Sequence, residues 1–256
     1  MSQKLKTLER MLSKSGLASR TEARKLIGSG RVGVNNRIVL NPDQWVDPER
    51  DRLTFDGKPV RAAALEYWLL YKPTGYITAA RDPEGRPTIY DLLEASQKQL
   101  KYVGRLDQDT SGLLILTSDT RFADFVSSPE SHLPKTYLVK SLGMLSEEQL
   151  DSLRKGVELK DGPTRPAQVK RVRYSSTSTF FEITITEGRN RQVRRMVEAI
   201  GSKVRKLVRV AIGPIEIGEL PIGKTRQLTA SEAIALSNFG ASSARSSREP
   251  ARQSQP

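Results

Sequence analysis

Two stretches of this chain carry the side chains that could do chemistry: KYVGRLDQDTSGLLILTSD, residues 101–119, and EGRNRQVRRMVEAIGSKVRKLVRV, residues 187–210. In the first, Arg105, Asp107, Asp109, Thr110 and Ser111 interrupt an otherwise apolar pattern. A turn rich in Asp, Thr, Ser and Gly is ordinary hairpin chemistry, since these side chains bond to their own backbone. The sharper reading has two rigid strands hold the Asp107 carboxylate at the mouth of a pocket with a cation close by. In the second stretch, Arg189, Arg191, Arg194 and Arg195 crowd the first turns of a helix. Cations there oppose the helix macrodipole, by about 0.3–1 kcal/mol each where exposed, and so point to an anion nearby. Arg194 precedes Val197 by three residues and can lean toward the buried side, where an arginine is tolerated only with a partner.

Composition removes other chemistries. The chain has 256 residues, no cysteine and one histidine, His132. Disulfides, cysteine nucleophiles and cysteine zinc sites are impossible, and a lone histidine in the loop-like SSPESHLPK is a poor base for a triad or a metal. No G-x-x-x-x-G-K-[ST] loop is present. A formal net charge of +13 makes a polyanion, nucleic acid first, the expected partner. No apolar run is long enough to cross a bilayer and the first residues hold no signal-peptide core, so a cytoplasmic protein is expected.

The elements that must position these residues follow from periodicity. Leu5, Leu8, Met11 and Leu12 keep helical spacing, and Ser19 with Glu22 is a capping-box pattern opening a second helix that turns Ala23, Leu26 and Ile27 inward. RVGVNNRIVL reads as a hairpin turning on Asn35 and Asn36. EYWLLYKPTGYIT is a core strand and turn, and TIYDLL a helix after a charged loop. Leu113 to Leu116 form a buried strand, and Asp119 caps a helix that buries Phe122, Phe125 and Val126. LPKTYLVK leads into a strand, SEEQLDSLRKGVEL into a helix, and Thr179 to Thr186 alternates as a strand. Asn190 is placed to cap the arginine-rich helix and Gly201 to end it. Ser, Arg, Pro and Gln beyond Leu236 predict a disordered basic tail.

GRLDQDTSGLLILTSD resembles the signature of pseudouridine synthases that modify ribosomal RNA, in the branch typified by RsuA and RluB. The resemblance implies that Asp107 is the catalytic residue, with Asp109 supporting. K-P-x-G at Lys72, K-x-Y at Lys135 to Tyr137 and R-x-R-Q-V-R-R-M from Arg189 are similar to further motifs of that family. They imply that Tyr137 lies against the target base and that Arg194, or failing it Arg195, pairs with the carboxylate; Leu207 would pack beside the flipped base. LASRTEARKLIGSGRVGVNN resembles the RNA-binding module first described in ribosomal small-subunit protein four. It implies phosphate and shape contacts that carry little sequence information.

The expected chain is therefore α+β: a small helical and hairpin RNA-binding module over 3–62, a larger, mainly antiparallel sheet domain flanked by helices over 65–238, and the tail 239–256, with the join near 62–64. The expected reaction is isomerisation of a uridine to pseudouridine in ribosomal RNA, more in keeping with the large subunit. Asp107, Tyr137 and Arg194 would be catalytic. Arg20, Arg24, Arg31, Lys72, Arg105, Lys135, Arg189, Arg191, Arg195 and Leu207 would meet RNA. No cofactor or metal is required, the partner is ribosomal RNA or a pre-ribosomal particle, and a monomer is the default. Two rivals stand beside this reading. Asp107 and Asp109 could hold a divalent ion in an RNA-cutting enzyme, since hard cations take carboxylate oxygens, or the chain could be a non-catalytic RNA-binding or ribosome-assembly factor.

Overall fold

The chain divides into two units, residues 1–65 and 66–256. The computed structural model describes residues 5–60 and 64–246. Ala62 and Ala63, where the join between domains was expected, lie outside the described residues, as do 3, 4 and 247–256.

In the first unit β1 (Lys6–Thr7) pairs with β4 (Trp45–Val46), and α1 (Leu8–Lys14) packs on α2 (Arg20–Gly28). The Ser19 hydroxyl accepts from the Glu22 amide, as the capping pattern requires. A four-stranded antiparallel sheet follows in the order β3 (Arg37–Ile38), β2 (Val32–Val34), β5 (Leu53–Phe55), β6 (Lys58–Pro59). Asn35 and Asn36 turn its first hairpin with φ of 50° and 65°, the left-handed pair a two-residue loop demands. Leu8, Leu12, Ala23, Ile27 and Val32 close the core at zero exposure.

The second unit is built on a nine-stranded sheet. Its main path runs β13 (Gln168–Ser175), β14 (Ser178–Ile185), β10 (Lys135–Leu142), β15 (Val204–Ile212), β9 (Ser111–Thr117), β7 (Tyr67–Lys72), β17 (Thr225–Gln227). β8 (Lys101–Val103) also pairs with β9, and β16 (Ile215–Glu216) with β15; β11 (Glu158–Leu159) and β12 (Gly162–Pro163) form a separate hairpin. Every pairing is antiparallel except β9 with β15. All seven residues of β9 are buried because both faces are covered. Leu113 and Ile115 pack with Phe122 and Val126 of α3 (Thr120–Ser127) and Leu236 of α6 (Ala230–Ser246). Leu114 and Leu116 meet Leu70, Ile89 and Leu106 on the other face. At the far end α4 (Glu147–Lys155) and α5 (Gln192–Ala199) bury Leu150, Leu153, Val193, Met196 and Val197 against Val139, Phe181 and Ile183.

Two expectations change. TIYDLL forms only a four-residue 3-10 turn, Ile89–Leu92, opened by the reciprocal cap of Thr88 and Asp91 and ended where the backbone turns extended at Leu93. The tail is helical at its start: α6 runs to Ser246, since Ala and Ser after the anchored Leu236 continue a helix without needing to bury apolar surface. The remainder of that tail lies outside the described residues.

One lateral row crosses the sheet in register: Lys72 opposite Gly112, Gly112 opposite Arg209, Arg209 opposite Tyr137, and Tyr137 opposite Ile183. Gly112 has φ +119°, and a Cβ there would lie 2.2 Å from the Arg209 carbonyl oxygen and 2.4 Å from its amide nitrogen. No side chain fits at that crossing. Gly112→Ala should cost about 3 kcal/mol or more in urea unfolding, from overpacking and left-handed strain together, and should disturb the parallel pair. Gly104→Ala, at φ +68° with open space around it, should cost about 1–2 kcal/mol.

Candidate active site

Asp107 stands in the loop between β8 and β9, and that loop is held from beneath by a lysine. β7 alternates, so Lys72 shares the face of Leu70 and ends the strand at zero exposure. Its ammonium donates to the carbonyls of Pro73 at 3.1 Å, Asp107 at 3.0 Å and Thr110 at 2.8 Å. The Thr78 hydroxyl brackets Leu106 from the other side, donating to its carbonyl and accepting from its amide. Gly75 and Gln108 exchange two further hydrogen bonds. Lys72, expected to border RNA, is thus wholly inside, where it positions the Asp107 loop. Burial pushes its pKa down to about 8, against the pull of Asp107 and Asp109.

The arginine-rich segment meets this loop. Arg191, not Asn190, is the N-cap of α5, in the left-handed region at φ 48°. No side chain caps its first amides; the Gln192 side-chain oxygen accepts instead from the Arg189 amide, two residues before the N-cap. A left-handed arginine is a strained choice of the kind that marks functional sites. Here it sends the guanidinium to Asp109 in a bidentate pair of 3.0 and 3.1 Å, with Nη1 3.6 Å from the Asp107 carboxylate.

The expected partner of Asp107, Arg194, lies one turn along. It is 7% exposed and holds the Asp109 carbonyl at 2.9 Å and the Asp109 carboxylate at 3.2 Å. Its position on the buried side of α5 puts it under the loop, so its closest carboxylate is Asp109 and the guanidinium nearest Asp107 is that of Arg191. Burial would raise the Asp109 carboxyl, yet Arg191 and Arg194 together hold it below the usual carboxylate range.

Tyr137 is partly buried and packs against two of the buried clusters, one of which contains Leu106 and the other Leu207. Leu207 is 5% exposed and belongs to the core. Beside Tyr137 in the row, Arg209 is 3% exposed; its Nε donates to the Leu113 carbonyl at 2.8 Å, while its buried Nη2 has no hydrogen-bond partner among the described residues. Lys135 is half-buried, its ammonium on the Leu133 carbonyl at 2.9 Å, and burial with the nearby Arg209 charge pushes its pKa down to about 8.

The remaining basic residues divide. Arg189 holds the carbonyls of Gly162 and Pro163 and faces Glu187, and Arg195 makes a bidentate pair with Asp161. These two tie α5 to the hairpin of β11 and β12, so the anions expected around the helix start are in large part the chain's own. In the first unit Arg24 is bound by Glu9 and bidentately by Asp43, and Arg31 bidentately by Asp56 with Phe55 beneath it. Both were expected to face RNA; their closest carboxylates are within the module. Arg20 and Arg105 are exposed, with no ion pair among the described residues.

Alternation carried two signals the motif reading passed over. Lys72 two residues after Leu70, and Arg209 two after Leu207, both fall on a buried face. Arg191 left no such trace, because a left-handed cap at an arginine has no sequence signature.

This geometry agrees with what the chain resembles as a whole. Residues 66–199 match the family model described as RNA pseudouridylate synthase, and residues 7–51 match the S4 domain. A protein of Aquifex aeolicus (strain VF5) called an uncharacterized RNA pseudouridine synthase is 42% identical over 90% of this chain and 92% of its own length. The ribosomal large subunit pseudouridine synthase B of Bacillus subtilis (strain 168) is 38% identical over 89% of this chain and 94% of its own. The crystal structure of a pseudouridylate synthase superposes with a TM-score of 0.62 at 33% identity, covering 90% of this chain and 99% of that one. The chain belongs to the RNA pseudouridine synthase family, whose members are isomerases, and it carries an S4 domain at its N-terminal end.

Lys72→Met should strip three loop carbonyls of their donor and cost ~3 kcal/mol or more at neutral pH. Between about pH 8 and the lysine's ordinary 10.5, the unfolded chain binds a proton at this position that the folded chain has released. Folding therefore gains from Lys72 as pH rises through that window. Urea unfolding at pH 7.5 and 10 should show the wild type's advantage over Lys72→Met widening at the higher pH.

Proposed function

We propose that the protein converts a uridine of ribosomal RNA to pseudouridine and that Asp107 is the catalytic carboxylate. The observation that carries this reading is the placement of Asp107. It is fixed through its own backbone, about a third of its side chain is open to solvent, and the Arg191 cation stands 3.6 Å away while Asp109 takes the tighter pairs. The target nucleotide leaves its stack at a cost of a few kcal/mol and enters beside Tyr137. The Asp107 carboxylate then either attacks the sugar C1′ or takes a sugar proton, and the bond from C1′ to the uracil N1 breaks. The base turns and its C5 bonds to C1′ as the bond from Asp107 to C1′ breaks or, on the other route, as Asp107 returns the proton to the sugar. The C5 proton is then lost while N1 gains one. No atom is added or removed overall, so the chemistry asks for no redox partner. Arg191 and Arg194 surround the loop that carries the Asp107 carboxylate with positive charge.

The name of the Bacillus subtilis relative favours the large subunit as the source of the target RNA. The S4 domain, with Arg20 exposed on α2, supplies further grip on phosphate. A dication between Asp107 and Asp109 would be repelled by the two guanidiniums already facing them, which weighs against the metal-dependent nuclease.

Incubation with C5-tritiated ribosomal RNA tests the reading. Wild type should release tritium with strands intact and with chelator present. Asp107→Asn should release at least ~10³-fold less while binding RNA within about twofold of wild type. Release unchanged in the variant would remove Asp107 from the chemistry, and cut strands would favour the nuclease.

A further inference from the structure

Opposite the face that carries Asp107, the sheet bears a second basic surface. Alternation sends Tyr137, Val139, Phe181 and Ile183 to the helix-covered side. Leu138, Lys140, Phe180 and Glu182 therefore point the other way. Neither Phe180 nor Leu138 belongs to any of the four buried apolar clusters, so this end of the sheet has no helix packed on it among the described residues. One row across it reads Arg173, Phe180, Lys140, Lys206, from β13 through β14 and β10 to β15. Lys170 and Glu182 stand in the next row. The Phe180 ring is flanked by two cations, with the Arg173 guanidinium 4.3 Å and the Lys140 ammonium 5.3 Å from its centroid. Among the described residues Arg173, Lys140, Lys206 and Lys170 make no ion pair, and Glu182 is the only carboxylate in the two rows.

Lysines on β13 alone would read as the guard of an exposed sheet edge. That does not explain Lys140, which stands on β10 inside the sheet with Phe180 paired on one side and Lys206 of β15 on the other. Two cations drawn to one ring repel each other, and an anion laid across them relieves that repulsion. With its neighbouring cations drawn over it, the ring serves to hold charge in place and not to stack a base. At about 4.8 Å per strand the row extends about 14 Å, enough to follow a stretch of backbone.

We propose that this face binds the phosphate backbone of a part of the RNA substrate remote from the target uridine. The proposal rests on the reading above only for the choice of RNA as the polyanion. RNA long enough to pass around the catalytic unit reaches the face; a short stem-loop around the target does not.

The test compares wild type with the triple variant Lys140→Ala, Arg173→Ala, Lys206→Ala on a full-length large-subunit ribosomal RNA transcript over a salt series. Affinity at low salt should fall ~10-fold or more, and the slope of log affinity against log salt should become shallower by about 2 to 3. The charge-keeping triple Lys140→Arg, Arg173→Lys, Lys206→Arg should retain the wild-type slope. Tritium release from a short stem-loop bearing the target uridine should stay within twofold for all three proteins. An alanine triple that keeps the wild-type slope and affinity on the transcript overturns the proposal. So does a lost slope in the charge-keeping triple. Absence of tritium release from wild type would instead count against the catalytic reading and leave the salt comparison able to decide this one.

Discussion

A single buried ammonium fixes where the candidate carboxylate can stand. Lys72 has no carboxylate in hydrogen-bond contact; it is satisfied by three backbone carbonyls, two of them in the loop from Asp107 to Thr110. Burying a lysine this way is costly, and its lowered pKa is the measure of that cost. The return is a loop whose backbone is anchored from inside. The Asp107 side chain then needs no bond of its own to stay in place, and it remains open toward solvent and toward Arg191.

The arrangement of charge around that loop is asymmetric. Asp109 accepts two guanidiniums within 3.2 Å, while Asp107 has one at 3.6 Å. A carboxylate locked in a bidentate pair would have its lone pairs occupied and be a poor nucleophile or base. By absorbing the close contacts, Asp109 leaves Asp107 in a positive field yet unencumbered. The left-handed backbone at Arg191 is what makes the division possible, since it carries that guanidinium back across the helix start while Arg194 reaches the same loop from the buried side.

Much of this was legible in the sequence where local chemistry and tertiary packing agree. The Ser19 cap, the Asn35 and Asn36 turn, the continuous apolar run of β9 and the apolar stripe of α5 each follow from residue type and spacing, and each is present. Less legible was which cation meets which anion. Motif position placed Arg194 against Asp107, but the pairing is set by the rotation of α5 over the loop and by one unusual φ angle, neither of which spacing encodes. The same limit explains Arg24 and Arg31. A basic helix face and a basic hairpin look alike in sequence whether they face solvent or Asp43 and Asp56, which lie 19 and 25 residues further along the chain.

Lys72 and Arg209 belong to a different category, because the alternation that buries them is visible in YWLLYK and KLVRV. Charge led Lys72 to be read as an RNA contact when period put it inside, and Arg209 drew no reading at all. In a chain this rich in cations the two criteria conflict, and a buried cation is betrayed only by the apolar neighbours two positions away. Gly112 completes that logic. With no side chain between Lys72 and Arg209, β9 and β15 come close enough to pair, Lys72 holding the loop carbonyls and Arg209 the Leu113 carbonyl on either side of the crossing.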